Sequence, residues 1–359
     1  DRAIATLESI DPSAELAMAC SMRSAGHMLT NQWQLAESWG ERAIALATRF
    51  NEHGTIAHAL NNIGSALADD GQPRGFELLR QSLTIALEHN LQDHASRAYR
   101  NASEASVRNR LLAQAEALIV PGIDFARAHD MDLHVVGLVG TLAQVRLMQG
   151  RLDEAQALAA ELLQAKPSAA SSSTTHLTVA TIAATVAMLK DPGAEPSALQ
   201  THWAAALASQ EPDCIVPLAL ALAEAAWLRG DHERSAGVVH EALRACADLT
   251  PWDRGELACW LQRTGQEPHA LSAAAVAEPG RLELDGDLAA AAEAWHALGM
   301  PRHQAYALLL MDPRDQPDAL AQAIALFDRI GAAACAEHAR RHARKLASVG
   351  VKGIKTGPR

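Results

Sequence analysis

Residues 138–162 read LVGTLAQVRLMQGRLDEAQALAAEL, and the architecture of the chain follows from them. Leu138, Leu142, Val145 and Leu147 before Gly150, and Leu152, Ala155, Leu158 and Leu162 after it, keep the i, i+3, i+4, i+7 spacing of an amphipathic helix. A glycine between two such stripes is where a chain leaves a helix through left-handed backbone without a Cβ clash. The stretch therefore predicts two helices and a tight turn, with the small residue Ala155 where the backbones come closest. Such a hairpin cannot bury its apolar stripe within itself, so it requires a neighbour of the same kind.

The neighbours are present. Asn31 with Ala36, Gly71 with Phe76, Arg110 with Ala115, Gly150 with Ala155 and Gly230 with Ser235 share one layout, at intervals of 40, 39, 40 and 80. The last interval is two periods, and the breakers Lys190-Asp191-Pro192-Gly193 stand where the missing turn belongs. Phe76 is bulky where the others are small, so the second unit is either packed differently or out of register by one residue. A period near forty holds two helices of about 16 residues and two short turns. The expected fold is all-α: an α-solenoid, a right-handed superhelix of helical hairpins over residues 1–270. A Ser-rich stretch, 168–175, interrupts its fifth unit. Residues 271–349 read as shorter capping helices of the same solenoid, broken at Gly286, Gly299, Pro313 and Gly331, and residues 350–359 as a linker.

Composition agrees. Among 359 residues 49% are hydrophobic and 20% charged, enough to bury a core, and aromatics make up only 4% beside abundant Ala and Leu, which favours helix. The net charge is −11, although residues 338–359 carry seven Lys or Arg and no acid, leaving −18 on the rest. A chain so acidic does not grip a phosphate backbone as a whole. Five scattered cysteines without a C-x-x-C pair argue against a disulfide framework and fit a reducing cytoplasm. The longest apolar runs, 177–189 and 214–223, fall short of the roughly 18 residues a membrane span needs, so no membrane segment is expected. The opening at Asp1 has no signal pattern, and the chain reads as a fragment of something longer.

Motifs for chemistry are missing. Residues 350–356 place Ile354 where a phosphate loop needs glycine before Lys-Thr. His232-Glu233 is followed by His240, eight positions after His232 rather than four, and His338 and His342 share a helix face crowded with Arg340, Arg341, Arg344 and Lys345, which repels a cation. No metal site is expected. Asp69-Asp70 and Asp153-Glu154 have sufficient roles in turns and helix starts, so no catalytic residue is assigned and an enzyme is not expected.

The working surface of stacked hairpins is the face shared by the first helix of each unit. Alignment on the turns puts His58, Asn61 and Ser65 there from the second unit, Arg97, Arg100 and Glu104 from the third, Gln144 from the fourth, and Glu224 and Trp227 from the sixth. Arg97 and Arg100, three apart, suit an anionic ligand or an acidic peptide. Solvation or pairing with Glu104 is the favoured reading of both, and Trp227 reads as core. The expected partner is a protein or a small-molecule inducer in this groove, with self-association also open.

The closing third carries a family resemblance. Trp295-His296-Ala297-Leu298-Gly299-Met300-Pro301, Tyr306-Ala307-Leu308, Ala325-Leu326-Phe327-Asp328-Arg329-Ile330-Gly331-Ala332, Ala339-Arg340-Arg341, Gly350-Val351-Lys352-Gly353-Ile354 and Gly357-Pro358-Arg359 follow one another in order. Upstream, Gly255-Glu256-Leu257-Ala258-Cys259-Trp260-Leu261 and Gly122-Ile123-Asp124-Phe125-Ala126-Arg127 extend the series. Together they resemble the large ATP-binding LuxR-type bacterial transcriptional regulators related to MalT. The resemblance implies a tetratricopeptide-like helical region that senses an inducer or partner and couples it to regulator assembly. It also implies ATP in a missing N-terminal domain, no cofactor in this fragment, and DNA contact only through a missing C-terminal helix-turn-helix. A purely structural scaffold or self-association module is the alternative.

Overall fold

In a computed structural model, the described residues (2–164, 173–267 and 276–348) form nineteen helices joined by turns and contain no strand. Most of the Ser-rich stretch and the expected linker lie outside them. The chain divides into two compact units, Asp1–Thr141 and Leu142–Arg359. The first holds α1 (Arg2–Glu8), α2 (Ala14–Met28), α3 (Trp33–Arg49), α4 (His53–Asp69), α5 (Pro73–Glu88), α6 (Gln92–Arg108), α7 (Leu112–Ala128) and the start of α8 (Asp132–Met148).

One turn is used again and again. Asn31, Asn51, Gly71, Asn90, Arg110, Asp130 and Gly150 all adopt left-handed backbone, with φ between 54 and 77°. They stand 19 or 20 residues apart. After each, the next amide reaches back to the carbonyl five residues earlier, as Gln32 N–H does to His27 (2.9 Å), Glu52 to Ala47 (3.0 Å), Leu111 to Ser106 (2.8 Å) and Arg151 to Arg146 (2.8 Å). This pairs the last orphan carbonyls of the helix. The period read from sequence is thus two equal half-periods. Turns between hairpins, at Asn51, Asn90 and Asp130, have the geometry of turns within them.

The second hairpin is out of register by one residue. Helices α3 and α7 bury Ala36, Gly40, Ala43 and Ala47, and Ala115, Ile119, Gly122 and Ala126, the same distances past their turn residues. Helix α5 buries Gly75, Leu79, Ser82 and Ala86, each one position earlier relative to Gly71. The interval of 39 is therefore a deletion in the first turn of α5. Gly75, not Phe76, takes the close contact: a Cβ there would lie 2.3 Å from the Ala68 nitrogen and 2.6 Å from the Gly64 carbonyl oxygen. Phe76 turns aside onto Ala68, Leu79, Ala102 and Ala105.

The second unit continues with α9 (Leu152–Gln164), α10 (Ser173–Lys190), α11 (Ser197–Ser209), α12 (Pro212–Leu228), α13 (His232–Ala245) and α14 (Pro251–Arg263). Helix α10 ends where the breakers predict, but through a six-residue turn, 191–196, in which Asp191 Oδ1 accepts the Gly193 N–H (2.8 Å) and no residue is left-handed. Shorter helices follow: α15 (Gly280–Leu284), α16 (Leu288–Ala297), α17 (Pro301–Leu309) and α18 (Ala319–Arg329), then α19 (Ala333–Ser348). Helix α19 folds back onto α10 and α12. All five cysteines are free and buried. Among the described residues no helix is long and apolar enough to cross a membrane.

Two turn glycines separate strain from packing. A Cβ on Gly230 (φ 82°) meets nothing within 4 Å, whereas one on Gly150 (φ 72°) would lie 2.8 Å from Ile330 Cγ2 and 3.0 Å from Pro301 Cγ. Gly230→Ala is expected to destabilise by about 1–2 kcal/mol from left-handed strain alone. Gly150→Ala should lose about 1–3 kcal/mol more from overpacking. Urea unfolding of both variants checks this, and equal losses would contradict the contact of Gly150 with Ile330.

Candidate functional site

In the first unit the regular turns hold α4 and α6 side by side, with the start of α8 reaching Asp93 and Arg100 of α6. Six of the nine residues expected in the groove, His58, Asn61, Ser65, Arg97, Arg100 and Glu104, lie on α4 and α6. Polar side chains link the helices in steps close to one repeat. Asn62 Nδ2 donates to the Ser21 carbonyl (3.0 Å), Asn101 Nδ2 to Asn61 Oδ1 (2.6 Å), and His134 Nε2 stands 3.7 Å from Asp93. At the end of the face, Arg108 pairs with Asp69 at 2.7 Å.

The centre of the cluster can be assigned atom by atom. Arg97 Nη2 donates to Asn62 Oδ1 (2.7 Å), which fixes the amide so that its nitrogen faces His58 Nδ1 at 3.3 Å. Both Asn62 and Ser21, whose hydroxyl lies 2.7 Å from the same nitrogen, therefore donate to it, and His58 carries its proton on Nε2. Burial, then the charge of Arg97 and the neighbouring His94, pull His58 down to about 4. Burial also lowers His94 and His134. The imidazoles are neutral at pH 7, so the charges facing one another are Arg97, Arg100, Asp93 and Glu104.

The two arginines are matched in different ways. The partner of Arg97 is an amide oxygen, and burial together with Arg100 lowers its pKa. Arg100 Nε forms an ion pair with Glu104 at 3.7 Å, longer than a hydrogen bond. Four buried polar atoms on this face, Asn61 Nδ2, Ser65 Oγ, Arg100 Nε and His134 Nδ1, make no hydrogen bond. Two guanidinium groups on one face suit a carboxylate or another anion. Among the described residues no His, Cys, Asp and Glu group of metal-binding size occurs.

The other three expected residues belong to the second unit. Gln144 is half-buried on α8. Glu224, 3% exposed on α12, accepts from Arg302 Nη1 (2.9 Å) and from the Tyr306 hydroxyl (2.5 Å), while Cys335 Sγ lies 3.2 Å from that hydroxyl. Burial and the carboxylate push Tyr306 and Cys335 upward, so both keep their protons. Trp227 is core, edge-on to Trp260 and Tyr306 and stacked on His338. His338, expected on a basic helix face, packs against this ring, and burial drops it to about 4. The residues missed by sequence reading, Asn62, Asn101 and His134, carry a signal: each meets a polar partner 40 or 41 positions earlier.

Protonation of His58 couples this cluster to stability. Its pKa is about 4 when folded and about 6.5 when unfolded. Between these values only the unfolded chain binds the proton. The stabilisation is therefore complete above about pH 6.5 and is lost as pH falls to about 4, on the order of 3 kcal/mol for one imidazole. Denaturant unfolding at pH 7, 5.5 and 4.5 should show a smaller acid loss for His58→Gln than for the unmodified protein. Identical slopes would refute the assignment.

No family model and no curated protein sequence matches the chain. Among solved structures it is similar to one described as the crystal structure of the apo form of RapI, at 12% identity and a TM-score of 0.53, over 67% of this chain and 86% of that one. A circular tandem repeat protein with novel repeat topology and enhanced subunit contact surfaces aligns at 12% identity with a TM-score of 0.25, over 97% and 86%. The first likeness and the all-helical architecture give the fold: a tetratricopeptide-like helical repeat.

Proposed function

We propose that the chain is the sensor or effector region of a LuxR-type transcriptional regulator, and that the α4–α6 face of its first unit holds an acidic segment of a partner or an anionic inducer. The observation that carries the reading is Arg97 beside Arg100 on one half-buried face, the first held by an amide oxygen and the second by a single ion pair of 3.7 Å with Glu104. An arriving carboxylate relieves the repulsion between the guanidinium groups. Binding favours one arrangement of the regulator over another by the difference in affinity between them. The regulator setting rests on the ordered sequence series that runs to Gly357-Pro358-Arg359. It places ATP and DNA contact in modules outside this chain and the protein in the cytoplasm. No catalytic role is proposed.

A twelve-residue peptide rich in Asp and Glu, followed by fluorescence anisotropy, is expected to bind more weakly as salt rises. The Arg97→Ala, Arg100→Ala double variant should lose about tenfold or more in affinity. Equal binding of the Asn/Gln analogue, or full affinity in a folded double variant, would remove the basis for this site. Reading the coding sequence on both sides of the chain checks the regulator setting separately, through a nucleotide-binding loop and a helix-turn-helix.

A further inference from the structure

The second unit contains a cleft of about 430 Å³ between the end of α12, the loop after α17, and α19. It is lined by none of the Arg97–Arg100 cluster. Trp227 and His338 form its aromatic side, with ring centroids 4.0 Å apart and planes 31° from parallel. Leu309, Pro313 and Leu346 supply apolar walls.

Both rings are fixed by hydrogen bonds at their edges. Trp227 Nε1 donates to the Arg263 carbonyl (3.3 Å). His338 Nδ1 lies 3.3 Å from the Leu228 carbonyl, which also accepts from Arg341 Nη2 (2.7 Å). A carbonyl oxygen only accepts, so the His338 proton is on Nδ1 and Nε2 presents a lone pair. Nε2 makes no hydrogen bond with the described residues and is not sealed from solvent. The ring is neutral at pH 7 because burial, with Arg341 and His342 adding to it, holds it at about 4.

The rest of the lining adds no net charge directed inward. Asp312 and Arg314 satisfy each other through bonds of 3.0, 3.1 and 2.5 Å. His342 at the rim is also lowered by burial. Aromatic and aliphatic walls, an unbonded acceptor on His338 and an Asp312–Arg314 pair that satisfies itself select against ions and for a flat neutral molecule.

We propose that this cleft binds a small, planar, uncharged molecule that packs against Trp227 and His338 and donates one hydrogen bond to His338 Nε2. The site is independent of the Arg97–Arg100 reading. A molecule bound there touches α12, α19 and the α17–α18 loop together, and so favours the docking of these C-terminal helices on α12.

Indole, neutral and planar with one N–H, is a suitable probe, and 1-methylindole lacks only the donor. Titration of the whole chain, followed by the imidazole nitrogen resonances of His338 and the Trp227 indole N–H, is expected to show saturable shifts with indole below about 10 mM. The methylated probe should bind roughly fivefold more weakly. Leu346→Trp, which fills the cleft from α19, should abolish the indole shifts, and Pro313→Trp fills it from the loop should the first variant not fold. Absence of saturable shifts, equal affinity for both probes, or unchanged binding in a folded filled variant would each overturn the proposal.

Discussion

A helix that ends in a left-handed residue, with the next amide bonded to the carbonyl five residues back, has a defined length and a defined exit direction. In the first unit this constraint is applied to one helix after another. Helices α3, α4, α6, α7 and α8 all run for 17 residues, because each stops at the same kind of cap. Equal helices then place corresponding positions side by side. That is why Ser21 meets Asn62, Asn61 meets Asn101, and Asp93 meets His134, with 40 or 41 residues between partners. The candidate site is a product of the turn: a cap that slipped by one residue would turn every helix behind it by about 100°. Helix α5 shows how such a slip is absorbed. It loses a residue before its first buried position and uses Gly75 where its counterparts have alanine, so later helices keep their facing.

The second unit obeys a different logic where the period fades. Its last helices are too short and unequal to stack by repetition, and they dock through buried charge. Arg263 pairs with Glu283 at 2.7 Å, and Trp295 Nε1 donates to the same carboxylate. Arg302 and Tyr306 close on Glu224. Desolvation of such groups offsets much of their attraction, so their contribution to net stability is modest, whereas a shifted docking position leaves a charge buried alone. Apolar helices rich in alanine accept many registers. A buried carboxylate that needs one guanidinium and one hydroxyl accepts far fewer.

This contrast explains what was legible in the sequence. Turn residues were legible because glycine and asparagine adopt positive φ readily, and Arg110 because its position in the series compensated for an unlikely residue type. That His58, Asn61 and Ser65 share one face of α4 was legible for the same reason, since position in a repeat fixes which way a side chain faces, but that all three are buried rather than open in a groove was not. The interactions that bury Glu224 were not. Its partners come 78, 82 and 111 residues later, a separation that matches no period and depends on how α17 and α19 fold back. The neutral state of His338 was hidden in the same way, since a sequence shows the arginines beside it on α19 but not the tryptophan over it. Local chemistry and periodicity reveal which side a residue faces, and only long-range packing determines what covers that side.

Arg97 and the buried arginines of the second unit are matched in different ways, and the difference bears on the proposed partner site. In the second, Arg263 and Arg302 each meet a buried carboxylate within 2.9 Å, and their charge is consumed inside the fold. In the first, Arg97 meets an amide. An amide oxygen orients a guanidinium without neutralising it, and the adjacent Arg100 raises the local potential further. If the role of Arg97 were only to join α4 to α6, a neutral donor would serve without desolvating a charge. Under the proposed function, a negative group from outside completes the pair: a face oriented by amides and charged by arginine would then be pre-organised for an anion, while a face whose charges are already matched is committed to the chain's own helices.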